Sequence, residues 1–314
     1  MSGARELRFE DRVAIVTGAG GGLGREHALL LGARGARVLV NDIGGVDAEA
    51  QQGASAEQTA EAIRSAGGEA VADTHSVASS DGGRAIVEGA LERYGRVDIV
   101  VHNAGVGRVA PRFEDLSDDQ LDLMLKTHLY GAFNVLRPAW RQMKQQGYGR
   151  IVNTSSATAL GVDDSWDYPA AKGALVSLTR CLALTGARHG IKANAIMPMA
   201  FTPMAAQIPN EDLRNWMAVT FPAAHVAPTV ALLAHEDAPC NGECFSVGGG
   251  RTAHVGYSVV PGYKTDAPTP ELVRDHFDEV MSDEGRILCP TGAEDTAFFA
   301  DSWAELGTTR IAED

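Results

Sequence analysis

The chain has 314 residues, of which 45% are hydrophobic, and a formal net charge of −14 at pH 7. This length allows one large α/β domain with a sizeable core. The negative charge argues against nonspecific binding to nucleic acid or to an anionic membrane, so the expected partner is a small molecule. The N-terminal residues lack the apolar core of a signal peptide, and no apolar run approaches transmembrane length, which predicts a soluble cytoplasmic protein. The four cysteines fit neither a disulfide framework nor a common zinc spacing, so no metal site is predicted.

From Val13 onward, short apolar runs alternate with longer stretches of helical pattern. The apolar runs are rich in Val, Ile and Ala and predict strands at 13–17, 37–41, 69–73, 97–103, 150–156, 191–196 and 244–247. The helical stretches lie near 23–34, 55–66, 81–94, 117–146 and 167–188. Such alternation indicates parallel strands joined by right-handed crossovers, with helices on both faces. We therefore expect an α/β fold, a doubly wound parallel sheet of about seven strands.

The regular alternation ends after a run of three glycines. The remaining residues, 251–314, contain a Pro-rich passage and two helix-like stretches at 271–281 and 296–306. Thr269 suits an N-cap position before the first of these helices. We therefore predict a catalytic domain at 1–250 and a helical C-terminal extension, packed on the same domain or on a neighbouring subunit.

A glycine-rich segment, TGAGGGLG (17–24), follows the first strand and opens the first helix. In this context its glycines let the backbone turn tightly and approach a pyrophosphate at the helix N-terminus. The residues expected to contact the cofactor are Gly18, Gly22, Leu23 and Gly24. Asp42 ends the second strand, where a carboxylate accepts both ribose hydroxyls of an adenosine and repels a 2′-phosphate. The predicted cofactor is therefore NAD, although Asp42 also suits a strand-end turn before Gly44.

In YPAAK (168–172), Tyr168 and Lys172 are one helical turn apart and share a helix face. Alone the spacing is weak evidence, because exposed helices carry such pairs by chance. A phenol with a pKa of about 10 is a poor base at neutral pH. A cation about 4 Å away, at an effective dielectric of about 20, contributes ~4 kcal/mol, or about three pKa units at most. Lys172 and a positive nicotinamide ring would bring Tyr168 towards the range in which it takes the proton of an alcohol.

The motifs TGAGGGLG, HNAG (102–105), NTSS (153–156) and YPAAK resemble a short-chain dehydrogenase/reductase over roughly residues 9–250. The passages VNDIGG, KTHLYGAF and YGRIVNTSSA are similar to the (3R)-hydroxyacyl-CoA dehydrogenase domain of peroxisomal multifunctional enzyme type 2. The resemblance implies a Rossmann-like fold, oxidation of a secondary alcohol, and a homodimer or homotetramer through the helices near 117–146 and 167–188. Further cofactor contacts that it implies are Ser76, Val77, Asn103, Ala104, Gly105, Tyr168, Lys172 and Thr202.

The family also uses a serine hydroxyl to hold the substrate oxygen. Anchoring on NTSS makes this serine Ser156, whereas counting back from Tyr168 at the family's usual spacing gives Ser155. We favour Ser156, because a missing residue fits the loop ALGVDDSWD better than a strand. KTHLYG places His128 where most members have an asparagine that holds a water linked to Lys172, and an imidazole can hold the same water. A buried structural histidine bonded to a backbone carbonyl fits equally well.

Adenine recognition and the substrate are less defined. DTHSV has His75 where the family often has an aspartate against adenine, and Asp73 lies on the same strand face. The leading hypothesis is NAD-dependent oxidation of a 3-hydroxyacyl thioester or a steroid-like alcohol. The alternatives are an NADPH-dependent oxoacyl reductase, which Asp42 argues against, and a non-catalytic dinucleotide sensor, which predicts a broken Ser-Tyr-Lys set. Arg108 and Arg112 are candidate contacts for CoA phosphates, or else solvated charges.

Overall fold

The structure, a computed structural model, describes residues 5–44, 55–107, 112–202, 205–207 and 210–297. The chain divides into two compact units, Met1–His254 and Val255–Asp314. Within the described ranges, no helix is both long and apolar enough to cross a membrane.

The first unit is built around one sheet with helices on both faces. Its strands are β1 Val13–Thr17, β2 Arg37–Asn41, β3 Glu69–Asp73, β4 Ile99–His102, β5 Gly149–Thr154, β6 Ile191–Pro198, β7 Cys244–Gly248 and β8 Arg251–Val255. Its helices are α1 Gly22–Ala33, α2 Ala56–Ser65, α3 Ser80–Tyr94, α4 Asp118–Met124, α5 Gly131–Gln146, α6 Asp167–Gly186, α7 Glu211–Thr220 and α8 Ala227–Ala234. The strand order is β3-β2-β1-β4-β5-β6-β7-β8.

The strands from β3 to β7 are parallel, and Ile15 of β1 pairs with Leu39 on one side and with Val100 on the other. The predicted doubly wound α/β fold is therefore confirmed. The eighth strand, β8, was not predicted. It follows β7 after Gly249 and Gly250, whose φ values of 56° and 80° suit the type I′ turn of a hairpin. Its side chains are mostly exposed, so it lacks the apolar run by which the other strands were recognised.

Both faces of the sheet are buried, which explains the nearly continuous apolar runs. Along β1, Val13 and Ile15 pack in the layer with α3, α5 and α6, whereas Ala14 and Val16 pack in the layer with α1, α2 and α8. Each fully buried Val or Ile side chain contributes about 1.5–3 kcal/mol relative to an exposed one.

The strand order places a crevice at one edge of the sheet. The chain leaves β1 towards β2 and β3 on one side and returns to β4 on the other, so β1 and β4 flank the topological switch point. Ligands of such sheets bind outside the carboxyl ends of the strands at this point. Thr17, His102 and Thr154 end β1, β4 and β5 at that edge.

The helix predicted at 117–146 is divided in the structure. Ser117 and Gln120 form a capping box at the start of α4. A π-helical segment, Leu125–Tyr130, then joins α4 to α5 and contains His128. Such segments are rare and are frequent at functional sites, because the extra residue in the turn redirects side chains.

The second unit contains short elements. These are β9 Ser258–Val259, α9 Pro270–Asp275, α10 Phe277–Val280, β10 Ile287–Leu288 and α11 Gly292–Ala297, with β9 antiparallel to β10. Thr269 caps α9 as predicted, since its hydroxyl accepts from the Leu272 amide at 3.2 Å. Most of the helix predicted at 296–306 lies outside the described residues.

Candidate active site

Ser156 and Tyr168 meet at the carboxyl edge of the sheet. Ser156 lies two residues beyond β5, and Tyr168 is the second residue of α6. The Ser156 hydroxyl accepts from the Thr158 amide at 3.2 Å and from the Thr158 hydroxyl at 3.0 Å. Its own proton is then left for the Tyr168 oxygen, with which it forms a hydrogen bond.

Ser155 is used differently. It is buried, and its hydroxyl donates to the backbone carbonyl of Lys172 at 2.7 Å, which fastens α6 to the end of β5. Because that proton is committed to the backbone, Ser155 is poorly placed to hold a substrate oxygen. Of the two serines, the geometry favours Ser156.

Lys172 is buried beside the phenol, with Nζ 5.5 Å from the centre of the Tyr168 ring. Nζ donates to the Thr154 carbonyl at 2.7 Å. Burial lowers the pKa of Lys172 to about 7. Burial also raises the pKa of Tyr168, and the hydrogen bond from Ser156 only partly offsets this. The expected lowering of the Tyr168 pKa is therefore not achieved by the protein's own side chains.

His128 is fully buried against Tyr168, with ring centroids 5.2 Å apart and planes at 87°. Its Nε2 lies 2.9 Å from the Val106 carbonyl oxygen, and a Cβ on Gly105 would lie 2.4 Å from its Cε1. Within the described part of the chain, Nδ1 has no hydrogen-bond partner. Burial, and secondly the charge of Lys172, hold the pKa of His128 well below its usual value, so the ring is neutral at pH 7. The carbonyl contact agrees with the structural interpretation, while Nδ1 remains available for a water.

The glycine-rich turn between β1 and α1 has room only for glycine at two positions. Gly18 has a φ of 63°, and a Cβ there would lie 2.7 Å from the Ala104 Cα. A Cβ on Gly24 would lie 2.2 Å from the Gly18 carbonyl oxygen. The backbone is therefore packed closely at this turn, as a dinucleotide cradle requires.

The N-terminus of α1 suits an anion. Gly22 and Leu23 begin the helix, the N-cap residue Gly21 provides no side-chain hydrogen bond, and the first turn contains no acidic residue. Helix N-terminal amides without a cap, together with the helix dipole, favour a phosphate group. The turn and this helix end therefore fit the pyrophosphate of the predicted cofactor.

Asp42 lies directly beside the glycine-rich turn. Its Oδ2 accepts from the Gly20 amide at 2.9 Å, and its Oδ1 accepts from the Gly44 amide at 2.9 Å. The second contact is the strand-end turn that the sequence allowed as an alternative. Each carboxylate oxygen retains a further lone pair, so the side chain can still accept hydroxyl donors.

At the expected adenine end, Asp73 is bound within the protein. Its carboxylate accepts from the Asn41 side chain at 2.6 Å and from the His75 amide at 3.0 Å, and it lies 2.8 Å from His75 Nδ1. Ser76 and Val77 follow on the loop that leads to α3, and the Val77 carbonyl accepts from a side chain of α5 at 2.9 Å. Val77 is buried and Ser76 is partly buried.

The HNAG residues brace the glycine-rich turn. Asn103 Nδ2 donates to the carbonyls of Thr17 at 3.1 Å and Gly18 at 3.0 Å. The Thr17 hydroxyl accepts from the amides of Asn103 at 3.1 Å and Ala104 at 3.0 Å. Asn103 thus has a structural role at the end of β4, and it also shapes the turn that would hold the cofactor.

Thr202 lies beyond β6, and its hydroxyl accepts from the Ala205 amide at 3.3 Å. The contact of Thr202 with a nicotinamide stays a prediction. Arg108 lies outside the described residues, and Arg112 is 76% exposed. Arg112 pairs with Asp115 at 2.8 Å, so carboxylates already offset its charge.

Sequence reasoning did not assign roles to Thr17, His102 and Val106. Each contacts a predicted site residue: Thr17 holds the HNAG amides, His102 binds the backbone of His128, and Val106 binds its ring. The sequence did point to His102, because it is a titratable residue at the end of a strand and the first residue of the HNAG motif.

Comparison with known proteins places these features in a family. The family model for short chain dehydrogenases matches residues 12–213. A short-chain type dehydrogenase/reductase of Mycobacterium tuberculosis is 42% identical over 261 residues, which cover 82% of this chain and 90% of that protein.

Peroxisomal multifunctional enzyme type 2 of Mus musculus is 41% identical over 283 residues, covering 88% of this chain but only 37% of that protein. The solved structure of the full-length enzyme of that name from Drosophila melanogaster superposes with a TM-score of 0.77 at 32% identity, over 96% of this chain and 51% of that chain. The chain thus spans nearly all of the mycobacterial relative and about half or less of the mouse and Drosophila enzymes.

Proposed function

This chain belongs to the short-chain dehydrogenase family, and we propose that it is an NAD-dependent dehydrogenase of secondary alcohols. The predicted family is confirmed, and its members transfer hydride between an alcohol or ketone and a nicotinamide dinucleotide. The observation that carries the proposal is the joint position of Ser156, Tyr168 and Lys172 at the end of the sheet where the glycine-rich turn lies. This intact set also argues against a non-catalytic sensor.

Each side chain has a role that follows from its contacts. The Ser156 hydroxyl donates a hydrogen bond to the Tyr168 oxygen. A substrate oxygen beside the phenol would accept the same proton, so Ser156 would hold that oxygen and stabilise negative charge on it. Tyr168 would take the proton of the substrate hydroxyl during oxidation and return it during reduction. When bound, NAD would supply the hydride acceptor and, in its oxidised form, a positive charge. Lys172 in its protonated form would contribute a second positive charge, and both charges would favour the phenolate against the burial that raises the Tyr168 pKa.

Lys172 and His128 together suit the relay of that proton. Among described residues, the ammonium of Lys172 contacts one acceptor, the Thr154 carbonyl, although it has three donors. The Nδ1 of His128 is buried and accepts nothing from the described part of the chain. A water bound to both groups would satisfy them and would carry a proton away from Tyr168.

The choice of NAD rests on Asp42. Its carboxylate is fixed by the Gly20 amide, at the turn that would hold the pyrophosphate. A 2′-phosphate near this carboxylate would be repelled, and the adjacent residues 19–21 contain no Arg or Lys.

For the substrate, we infer a (3R)-hydroxyacyl-CoA. The support is the similarity of three passages, VNDIGG, KTHLYGAF and YGRIVNTSSA, to the dehydrogenase domain of the multifunctional enzymes, together with the match to the mouse enzyme over 88% of the chain. The first two passages contain Asp42 and His128, so the similarity includes residues of the site itself.

A panel assay tests the proposal. Wild-type protein is given NAD or NADP with (3R)- and (3S)-hydroxyacyl-CoAs, CoA-free secondary alcohols and steroid alcohols, and formation of the reduced cofactor is followed. The proposal predicts turnover with NAD and the (3R)-thioesters. Turnover only with the NADP couple would favour the oxoacyl reductase, and dinucleotide binding without turnover of any alcohol would favour the sensor.

We further propose that two copies associate through the continuous helical stretch from α4 to α5. Its exposed row is Asp119, Asp122, Lys126, Tyr130, Phe133, Arg137, Arg141 and Lys144. The first two residues are acidic, Lys126 pairs with Asp122 on the same helix at 2.6 Å, the central pair is aromatic and the last three are basic. An antiparallel copy, related by a two-fold axis through the centre of the row, would place Asp119 opposite Lys144 and the aromatic pair opposite itself.

Charge reversal tests this interface. Lys144→Glu would place two carboxylates opposite each other and should weaken the dimer, as measured by light scattering during gel filtration. Adding Asp119→Lys should restore it, because the opposite charges meet again. An unchanged mass for the single variant at all concentrations would contradict this interface.

A further inference from the structure

His102, the last residue of β4, connects two parts of the site that the sequence does not link. It is 1% exposed, and its Nε2 lies 3.0 Å from the backbone oxygen of His128. Its Nδ1 lies 3.5 Å from the Thr17 hydroxyl oxygen, which is a long contact. One imidazole therefore spans from the turn after β1 to the π-helical segment.

The contacts of this ring are consistent with a single tautomer. A carbonyl oxygen only accepts hydrogen bonds, so Nε2 carries the proton and donates a hydrogen bond to the His128 carbonyl oxygen. Burial lowers the pKa of His102 to about 4, so the ring is neutral at pH 7 and Nδ1 is an acceptor. The Thr17 hydroxyl already accepts from the amides of Asn103 and Ala104, which leaves its own proton for Nδ1. The hydrogen bonds run in one direction from the HNAG amides to the π-helical turn.

The π-helical turn needs such a tie because its own geometry is unusual. A π-helical turn is rare, so contacts from outside the helix can contribute to its stability. The ring of His128 is held from one side by Val106 and lies against Tyr168, while its backbone is held by His102. Together these contacts fix both the ring and the backbone of His128, the residue that borders the Tyr168 phenol.

We propose that His102 is a positioning residue, which holds the π-helical turn so that the His128 imidazole stays in place against Tyr168. This catalytic consequence rests on the proposed function, whereas the anchoring itself does not. His102 touches neither substrate nor cofactor in this scheme. It acts through His128, and it ties the turn that would hold the dinucleotide to the turn that borders the base.

Three variants separate the contacts of His102. His102→Gln places an amide nitrogen about where Nε2 is and can donate to the His128 carbonyl. His102→Asn reaches only about as far as Nδ1 and loses that contact, while His102→Leu loses both contacts. His27→Leu is the matched control, because His27 is also 1% exposed and neither of its ring nitrogens has a partner among the described residues.

The first measurement is hydrogen exchange of the backbone amides over residues 125–130, which requires no substrate. His102→Asn and His102→Leu should increase exchange there by about tenfold or more, whereas His102→Gln and His27→Leu should leave it within about threefold of wild type. Equal protection in the Asn variant and in wild type would overturn the proposal. This result stands whether or not the protein oxidises an alcohol.

The second measurement is a double-mutant cycle on turnover. His102→Asn should lower kcat by about tenfold to a hundredfold with the KM nearly unchanged, and His102→Gln should restore most of it. In a His128→Ala background the same change should cost about twofold or less, because the ring that it positions is gone. Equal losses in both backgrounds would show that His102 does not act through His128. Absence of turnover in wild type would instead count against the proposed function.

Discussion

Gly105→Ala should disable the site without disturbing the rest of the fold. A Cβ on Gly105 would lie 2.4 Å from Cε1 and 2.9 Å from Nδ1 of His128, whereas ordinary van der Waals contact begins at 3.4 Å. The ring must therefore move by about 1 Å, and a shift of this size near the reacting groups lowers turnover by about a hundredfold. His128 is fully buried and its Nε2 is held by Val106, so it has little room to yield. Overpacking of this kind should lower the free energy of unfolding by about 1–3 kcal/mol.

The assay measures kcat and the melting temperature together, with Gly173→Ala as the matched control. A Cβ on Gly173 would meet only the Ala159 Cβ, at 3.8 Å, so this helical glycine should accept alanine and gain up to about 1 kcal/mol. Gly105→Ala combined with His128→Asn should recover part of the lost turnover, because the smaller side chain relieves the contact. Turnover of Gly105→Ala within about threefold of wild type would refute the proposed role of the His128 ring.

Three further predictions concern stability, cofactor choice and the serines. Burial lowers the pKa of His27 to about 3, so below pH 6.5 the unfolded chain binds a proton that the folded chain excludes. At pH 4 this lowers the free energy of unfolding by ~3 kcal/mol. His27→Leu should remove this loss and the exposed control His225→Leu should not, and equal acid unfolding curves for the two variants would contradict the prediction. In calorimetric titrations, Asp42→Ala should weaken the binding of NAD and reduce the difference in affinity between NAD and NADP. Equal affinity of the wild-type protein for both cofactors would contradict this prediction. Ser156→Ala should lower kcat by about a hundredfold at unchanged melting temperature. Ser155→Ala should lower the free energy of unfolding by about 0.5–1.5 kcal/mol, since it removes the buried hydrogen bond to the Lys172 carbonyl. A reversal of these two outcomes would exchange the roles of the two serines.

The sheet could be predicted from sequence because its strands are buried on both faces. Runs such as VAIVT at β1 are apolar up to their last residue, and three strands begin and end where the pattern placed them. β8 escaped prediction because its side chains are mostly exposed and it contains no apolar run, so only its pairing at the sheet edge identifies it. The division of the helix near His128 was also invisible, since a π-helical turn has no composition of its own.

Within the site, motif order was sufficient to place Ser156, Tyr168 and Lys172 together. The direction in which the Tyr168 pKa shifts was not predictable, because it depends on burial, which the spacing of residues does not reveal. The link through His102 was equally hidden. It joins residues from β1, β4 and the π-helical turn, and only the folded chain brings these together.

A single-turnover measurement of hydride transfer to NAD from a (3R)-hydroxyacyl-CoA tests whether Tyr168 is the base. It compares wild type with Tyr168→Phe, and Tyr94→Phe is the control, since Tyr94 is also buried and ends α3. If Tyr168 is the base, its variant should transfer hydride about a hundredfold to ten-thousandfold more slowly while it binds NAD as wild type does, and the control should be unaffected. Hydride transfer at the wild-type rate in Tyr168→Phe would contradict the account.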